Sequence, residues 1–285
     1  ALFSLVALAL IPTLKSPPKL SNGEHQPKKN YASILRHPQL MRLNFSIFAQ
    51  HAIMVIMFLA LPHILHDQIK LTHHQQTIFY TVILISAFIA MVPFIIHAEK
   101  NRRIKSTMLG SILILGLSQI LLFNLPAQRI DTGIILFLFF TAFTLMESIL
   151  PSLVSKMAPL AIKGAAMGVY STSQFLGIAV GGALGGYVAS YFGQSAVLLL
   201  STALAAVWFI LVLSLSKITY ASTFIFKWQN NQDQAYLQQT LSALSGVTDF
   251  ALAQGEQLIY IKADKKIIDE NKLRNALETA NLKVS

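Results

Sequence analysis

A single carboxylate stands inside an otherwise apolar run of this chain. It is Glu147, in GIILFLFFTAFTLMESILPSLV. A charged side chain at the centre of a membrane helix costs about 2.5–3.5 kcal/mol on insertion scales. Glu escapes that cost by holding a proton or by facing water and partners. Glu147 therefore suits a proton carrier or a cation-binding site. The plainer alternative is a structural carboxyl that hydrogen-bonds between helices. It lies nine residues from the next basic side chain, Lys156, or roughly 13 Å by helical rise.

Three further residues could work with it. His51 follows Gln50 in the middle of another apolar run. Histidine titrates near neutral pH, so a cavity-facing imidazole could relay protons or touch a solute. Its structural alternative is a neutral ring donating to a neighbouring helix. Tyr170 and Gln174 are four apart, which puts them on one helical face. Neutral polar groups there suit an amphiphilic solute, or serve interhelical hydrogen bonds worth about 0.6 kcal/mol each. His63, His66, His73 and His74 cluster near one inter-run loop, with only Asp67 as a nearby acid. Histidines at such spacing can bind Zn²⁺ or Ni²⁺, but interfacial histidine is ordinary, and no metal is expected.

The elements that would position these groups are read from composition. The 285 residues are 54% hydrophobic and 12% charged, against about a quarter charged in an average soluble domain. Six apolar runs, near 40–65, 77–96, 107–125, 133–154, 165–191 and 196–215, each approach the ~20 residues that span a ~30 Å hydrocarbon core. Within them the only acidic, Lys or Arg side chains are Glu147 and, at the first entry, Arg42. The formal net charge of +10 resides largely in short loops between runs, as topology requires, so no nucleic-acid partner is expected. Basic and near-neutral loops alternate. The basic ones, including Lys100, Arg102, Arg103 and Lys105, are then cytoplasmic, and so is the C-terminus. There is no cysteine, which excludes disulfides and thiolate chemistry. With no GxxxxGK[ST], no ATP hydrolysis is expected. The chain reads as neither an enzyme nor a cofactor protein.

Glycine marks the fifth run. Eight of the chain's fourteen glycines fall between Gly164 and Gly193. Gly177, Gly181 and Gly185 repeat every four residues, with Gly182 and Gly186 alongside. This is a small-xxx-small stripe for close helix packing, or a surface on which a helix slides during alternating access.

The ends differ from the middle. Residues 1–11 read as the end of a preceding span, so the chain is expected to be the C-terminal part of something longer. Residues 12–36 carry four prolines among basic residues and read as a cytoplasmic loop, with a weakly amphipathic stretch at 31–35 suited to a membrane surface. Residues 37–216 hold the six spans. From 217 the patterning becomes that of a small cytosolic β-α-β-β-α domain, close to a ferredoxin-like split βαβ lacking its last strand. The strands are expected at 220–228, 247–253 and 257–262. The first helix carries Leu237, Leu241 and Leu244. The second is capped by Asp269 and buries Leu273, Leu277 and Ala280.

The stretch ESILPSLVSKMAP from Glu147, followed by Lys163-Gly164 and GVYSTSQFLG from Gly168, resembles the tenth and eleventh helices of major facilitator superfamily transporters, most closely the drug:proton antiporter branch. EKNRRIK from Glu99 resembles that superfamily's basic loop motif without its leading glycine. NFSIFAQHAIMVIMFLALP from Asn44 is similar to a seventh helix of the branch. The tail narrows the likeness to the YajR-type transporters of bacteria, which carry a cytosolic ferredoxin-like domain after the twelfth helix. The resemblance implies an all-α membrane bundle of helices 7–12 in the bacterial inner membrane, partnered by a missing N-terminal six-helix half and by lipid. It implies proton-coupled export of small amphiphilic solutes or drugs. A proton-coupled uptake porter for a sugar or organic anion, and a non-transporting receptor with the tail as output, remain open at this point.

Overall fold

The computed structural model describes residues 19–21, 31–216, 218, 220–227, 234–254, 258–264, 266–268 and 270–279. Residues 1–11, Trp228, the 255–257 turn, Asp269 and Ala280 lie outside them, so expectations that fall there are not addressed. The chain divides into two compact units. One is Lys29–Ala158 with Ile162–Thr219; the other collects Ala1–Lys28, Pro159–Ala161 and Tyr220–Ser285.

The first unit is helical. A short helix α1 (Tyr31–Arg36) precedes α2 (Pro38–Pro62), α3 (His73–Lys100), α4 (Ile104–Asn124), α5 (Arg129–Met157), α6 (Lys163–Phe192) and α7 (Ala196–Leu213). From α2 to α7, six helical segments are long and apolar enough to cross a membrane. All six coincide with the apolar runs, several extended by a turn into polar flanks. Their outward faces carry large apolar side chains such as Val82, Ile85, Phe88 and Ile89, which are 57–66% exposed. Water would oppose that exposure; hydrocarbon does not.

Local chemistry sets the helix ends. Thr72 and Gln75 form a reciprocal capping box at the start of α3: Gln75 N donates to Thr72 Oγ1 and Thr72 N to Gln75 Oε1, satisfying two end donors at once. At the other end Arg102 N donates to Glu99 O and Arg103 N to Ala98 O. With Arg102 at φ 54° this is a Schellman closure whose left-handed position is usually glycine. The basic loop thus turns tightly without the glycine of the family motif. Lys156 Nζ reaches from the end of α5 to Glu99 Oε1 at 2.6 Å, joining two loops that the sequence presents as separate. Pro62 ends α2, and a π-helical turn, His63–Gln68, follows it.

Helix α2 is the hub, packing against α5, α6 and α7. Its contact with α6 runs along the glycine stripe. A Cβ on Gly177 would strike the Phe48 carbonyl; one on Gly181 would lie 2.6 Å from Ala52 Cα; one on Gly185 would lie 2.7 Å from Leu59 Cδ1. The parallel pair differs: a Cβ on Gly182 meets only Val55 at 3.6 Å, and one on Gly186 meets nothing within 4 Å.

The second unit holds a four-stranded antiparallel sheet ordered β1-β3-β4-β2. The strands are β1 (Lys19–Ser21), β2 (Ala221–Lys227), β3 (Val247–Gln254) and β4 (Leu258–Asp264); the helices are α8 (Gln234–Ala243) and α9 (Glu270–Thr279). β4 lies between β2 and β3, so the β2-α8-β3 crossover is split by a strand, as the βαβ reading expects. The fourth strand comes from the proline-rich segment before the spans, and it joins the outer edge of β3. Phe224 and Phe226, two apart and so on one face, pack with Leu237, Leu241, Ile259, Ile261, Leu273 and Leu277 into one apolar core.

The glycine contacts generate a contrast. Backbone atoms of α2 block side chains at 177 and 181 and cannot rotate away, so overpacking there should cost at least the usual ~1–3 kcal/mol. Gly181→Leu in the full-length protein is expected to lower the detergent melting temperature and the monodisperse yield. Gly186→Leu is expected to match wild type. Equal behaviour of the two variants would refute this account of the α2–α6 contact.

Candidate functional site

Five polar side chains of the spans converge where α2, α5 and α6 meet. α2 supplies Gln50 and His51, α5 supplies Glu147, and α6 supplies Gln174 and Tyr170. These positions are brought together because α6 has no Cβ at Gly177 and Gly181 to hold it away from Phe48 and Ala52, the α2 residues that bracket Gln50 and His51.

Gln50 is fully buried. Its Nε2 donates to Glu147 Oε1 at 2.9 Å and to Phe143 O at 3.2 Å. His51 Nε2 lies 3.4 Å from the same Glu147 oxygen and 2.8 Å from Gln174 Nε2. His51 Nδ1 lies 3.2 Å from Ile47 O, one turn earlier on α2. Phe143 packs edge-on against the imidazole, with ring centroids 5.8 Å apart. Tyr170 is buried one turn from Gln174 on α6.

These contacts assign the protons. A carbonyl can only accept, so Nδ1 of His51 carries a hydrogen. In the neutral ring Nε2 is then the lone-pair nitrogen, and the Gln174 amide donates to it. A second proton can bind only at Nε2. There it faces Glu147 Oε1, and Gln174 can turn its amide to present oxygen. Nε2 and the Glu147 carboxyl therefore compete for one proton across 3.4 Å. The His51 side chain is 6% exposed and that of Glu147 36%, so Glu147 is the more accessible member of the pair. Pro151, four residues on, has no N–H for the Glu147 carbonyl, which leaves backbone polarity beside the carboxyl.

The structure places the other candidates elsewhere. Lys100 and Arg103 are exposed and Arg102 is half-buried at the α3–α4 turn. His63 Nδ1 pairs with Asp67 Oδ2 at 3.0 Å, and His66 stacks on His73 at 5.6 Å. Among the described residues no group of three His, Asp or Glu side chains is arranged to hold a metal ion. Gln50 is the member that sequence reasoning did not single out. Its signal was present as a second polar residue beside His51 in an apolar run, but only the helix crossing shows that it bonds Glu147.

Comparison with known proteins bears on this arrangement. The Major Facilitator Superfamily matches residues 1–181 and, in an overlapping second match, residues 43–224. The chain belongs to that superfamily. It is 35% identical over 255 residues to the inner membrane transport protein YajR of Escherichia coli (strain K12), a stretch covering 89% of this chain and 56% of that protein. It is 32% identical over 184 residues to an uncharacterized transporter of Buchnera aphidicola subsp. Baizongia pistaciae, covering 64% of this chain and 46% of that one. The chain thus spans about half the length of these curated relatives. Family membership and six spanning helices make it a multi-pass membrane protein.

The tautomer is directly measurable. In ¹⁵N-histidine spectra of the full-length protein at mildly alkaline pH, His51 is expected as the Nδ1–H form with an unprotonated Nε2. An Nε2–H signal for neutral His51 would overturn the proton assignment.

Proposed function

We propose that the full-length protein is a proton-coupled secondary transporter of the bacterial inner membrane that exports small amphiphilic solutes by alternating access, with this chain as its C-terminal half. The observation that carries the proposal is the Glu147–His51–Gln174 junction, with Gln50 fastening the carboxyl from behind. Likeness to a protein named as an inner membrane transport protein supports the location and the class. An N-terminal six-helix half would complete the path, since such sites lie between repeats near the midplane.

The mechanism follows from one carboxyl having two competing partners. Ionised Glu147 attracts the cationic or polar end of a solute in a low-dielectric cavity, where the attraction is strong. A proton on Glu147 removes that charge and releases the solute. His51 Nε2 is the adjacent station, able to take or return the same proton without ring movement because Nδ1 stays anchored to Ile47 O. Gln174, partly exposed on α6, contacts the uncharged part of the solute, with the buried Tyr170 one turn behind it. Exclusive occupancy by proton or solute is the requirement for antiport.

Full-length protein in proteoliposomes with an imposed proton gradient tests this. Efflux of a fluorescent lipophilic cation and opposing proton movement are expected in wild type. Glu147→Gln is expected to bring both to the level of empty vesicles, and His51→Gln to alter the pH profile of transport. Undiminished, gradient-driven efflux by Glu147→Gln would refute the proton role. Proton and solute moving together would replace export with uptake.

A further inference from the structure

A second feature of the helical unit lies between α4 and α7. These two helices supply none of the polar cluster's side chains, so on the reading above they stand apart from the solute path. Between them runs an apolar groove of about 270 Å³. Ile112, Leu117 and Ile120 form one wall and Ala206, Phe209 and Ile210 the other. Thr202 brings a hydroxyl to the lining, and it is turned inward, donating to Leu198 O at 2.9 Å. The trough forms because α4 and α7 approach closely at Gly116, where a Cβ would sit 3.3 Å from Ala205 Cβ. Ala206 is exposed, leaving a gap between the larger flanking side chains.

Two cations lie beyond one end of this groove. Lys105 Nζ donates to Leu213 O at 2.8 Å and Leu215 O at 2.6 Å, and Arg42 Nε donates to Ser214 Oγ at 2.9 Å. Both cations are thus gathered at the C-terminus of α7. Carbonyls and a hydroxyl orient them without cancelling their charge. Among the described residues neither is ion-paired with a carboxylate. Ile112 lies seven residues beyond Lys105 on α4, about 10 Å by helical rise, and Ile120 lies about 12 Å further. Fixed positive charge beyond one end, and a dry trough running from there along α4 and α7, match one molecule with a phosphate at one end and an alkyl chain at the other.

We propose that this groove is a binding site for an anionic phospholipid, whose phosphate sits on Arg42 and Lys105 and whose acyl chain lies between α4 and α7. Arg offers a fork matched to phosphate oxygens, and Lys105 retains a third N–H beyond the two it gives to carbonyls. A free phosphate would satisfy the cations and leave the groove empty. A zwitterionic lipid would fill the groove and gain less at the cations, because its own ammonium opposes them.

Native mass spectrometry of the detergent-purified full-length protein, with phosphatidylglycerol and phosphatidylcholine added in equal amounts, tests the site through lipid retention, which needs no transport activity. Wild type is expected to retain phosphatidylglycerol over phosphatidylcholine by about fivefold or more, the scale of a Lys or Arg at an anionic membrane surface. Arg42→Gln, alone or with Lys105→Gln, is expected to reduce that preference while phosphatidylcholine retention persists. Ala206→Phe, a change at an exposed position that fills the trough, is expected to lower retention of both lipids. Equal retention of the two lipids by wild type, or unchanged retention in Ala206→Phe, would overturn the proposal. So would displacement of phosphatidylglycerol by inorganic phosphate, or a dimer that Ala206→Phe dissolves, which would give the groove to a second copy. Loss of transport with lipid retention intact would count against the function proposed above and leave this site standing.

Discussion

The close approach of α2 and α6 is the constraint on which the helical unit depends. In hydrocarbon, helices gain nothing from hiding apolar side chains from each other, because lipid tails are equally apolar. Association has to come from dispersion contact and interhelical hydrogen bonds. Gly177 and Gly181 allow α6 to lie directly on the backbone of α2 at Phe48 and Ala52. That proximity sets the 2.8 Å separation of Gln174 and His51. Side chains of ordinary size at the glycines would move α6 outward and part the two. Packing and polar chemistry are therefore one arrangement, with the glycines setting a distance that the polar groups use.

The same geometry explains why the polar groups are tolerated. Gln50 divides its amide hydrogens between Glu147 and Phe143 O. His51 divides its ring nitrogens between Ile47 O and the Gln174–Glu147 side. The Gln50 amide nitrogen and both His51 ring nitrogens have partners on another helix or one turn away, which limits the cost of burying them, while Gln50 Oε1 is buried without one. Glu147 and Gln174 are only partly buried, whereas Gln50 and His51 are enclosed. The small domain solves a different problem. A sheet of three strands with two helices has edges to protect, and here the edge of β3 is covered by a strand drawn from the segment preceding the spans.

Much of this was legible in the residues. The six spans are runs of the required length, and except at the uncharged turn Phe192–Ser195 their ends fall near where charge resumes, because hydrocarbon excludes ionised groups. The β-α-β-β-α order was legible because Phe224 and Phe226 alternate while Leu237 and Leu241, like Leu273 and Leu277, recur at four. The glycine stripe announced a close contact but not its partner, since periodicity identifies a face and says nothing of what meets it. The role of β1 was hidden for a related reason: three residues among prolines carry no pattern, and strand pairing is fixed by the edge they meet. The Lys156–Glu99 pair was equally invisible, being made by the ends of two helices that are distant in the chain.

By itself the sequence determined that residues 37–216 hold six apolar runs of membrane-spanning length, that one carboxyl stands inside one of them, and that a small mixed domain follows. Those are consequences of composition and period, which act locally along the chain. The tertiary structure alone decided that Gln50 holds Glu147, that His51 keeps its hydrogen on Nδ1, and that Gly177, Gly181 and Gly185, rather than Gly182 and Gly186, form the contact. Each of these depends on which faces of two helices touch and at what height. Those are properties of the crossing, which the residues of either helix do not contain.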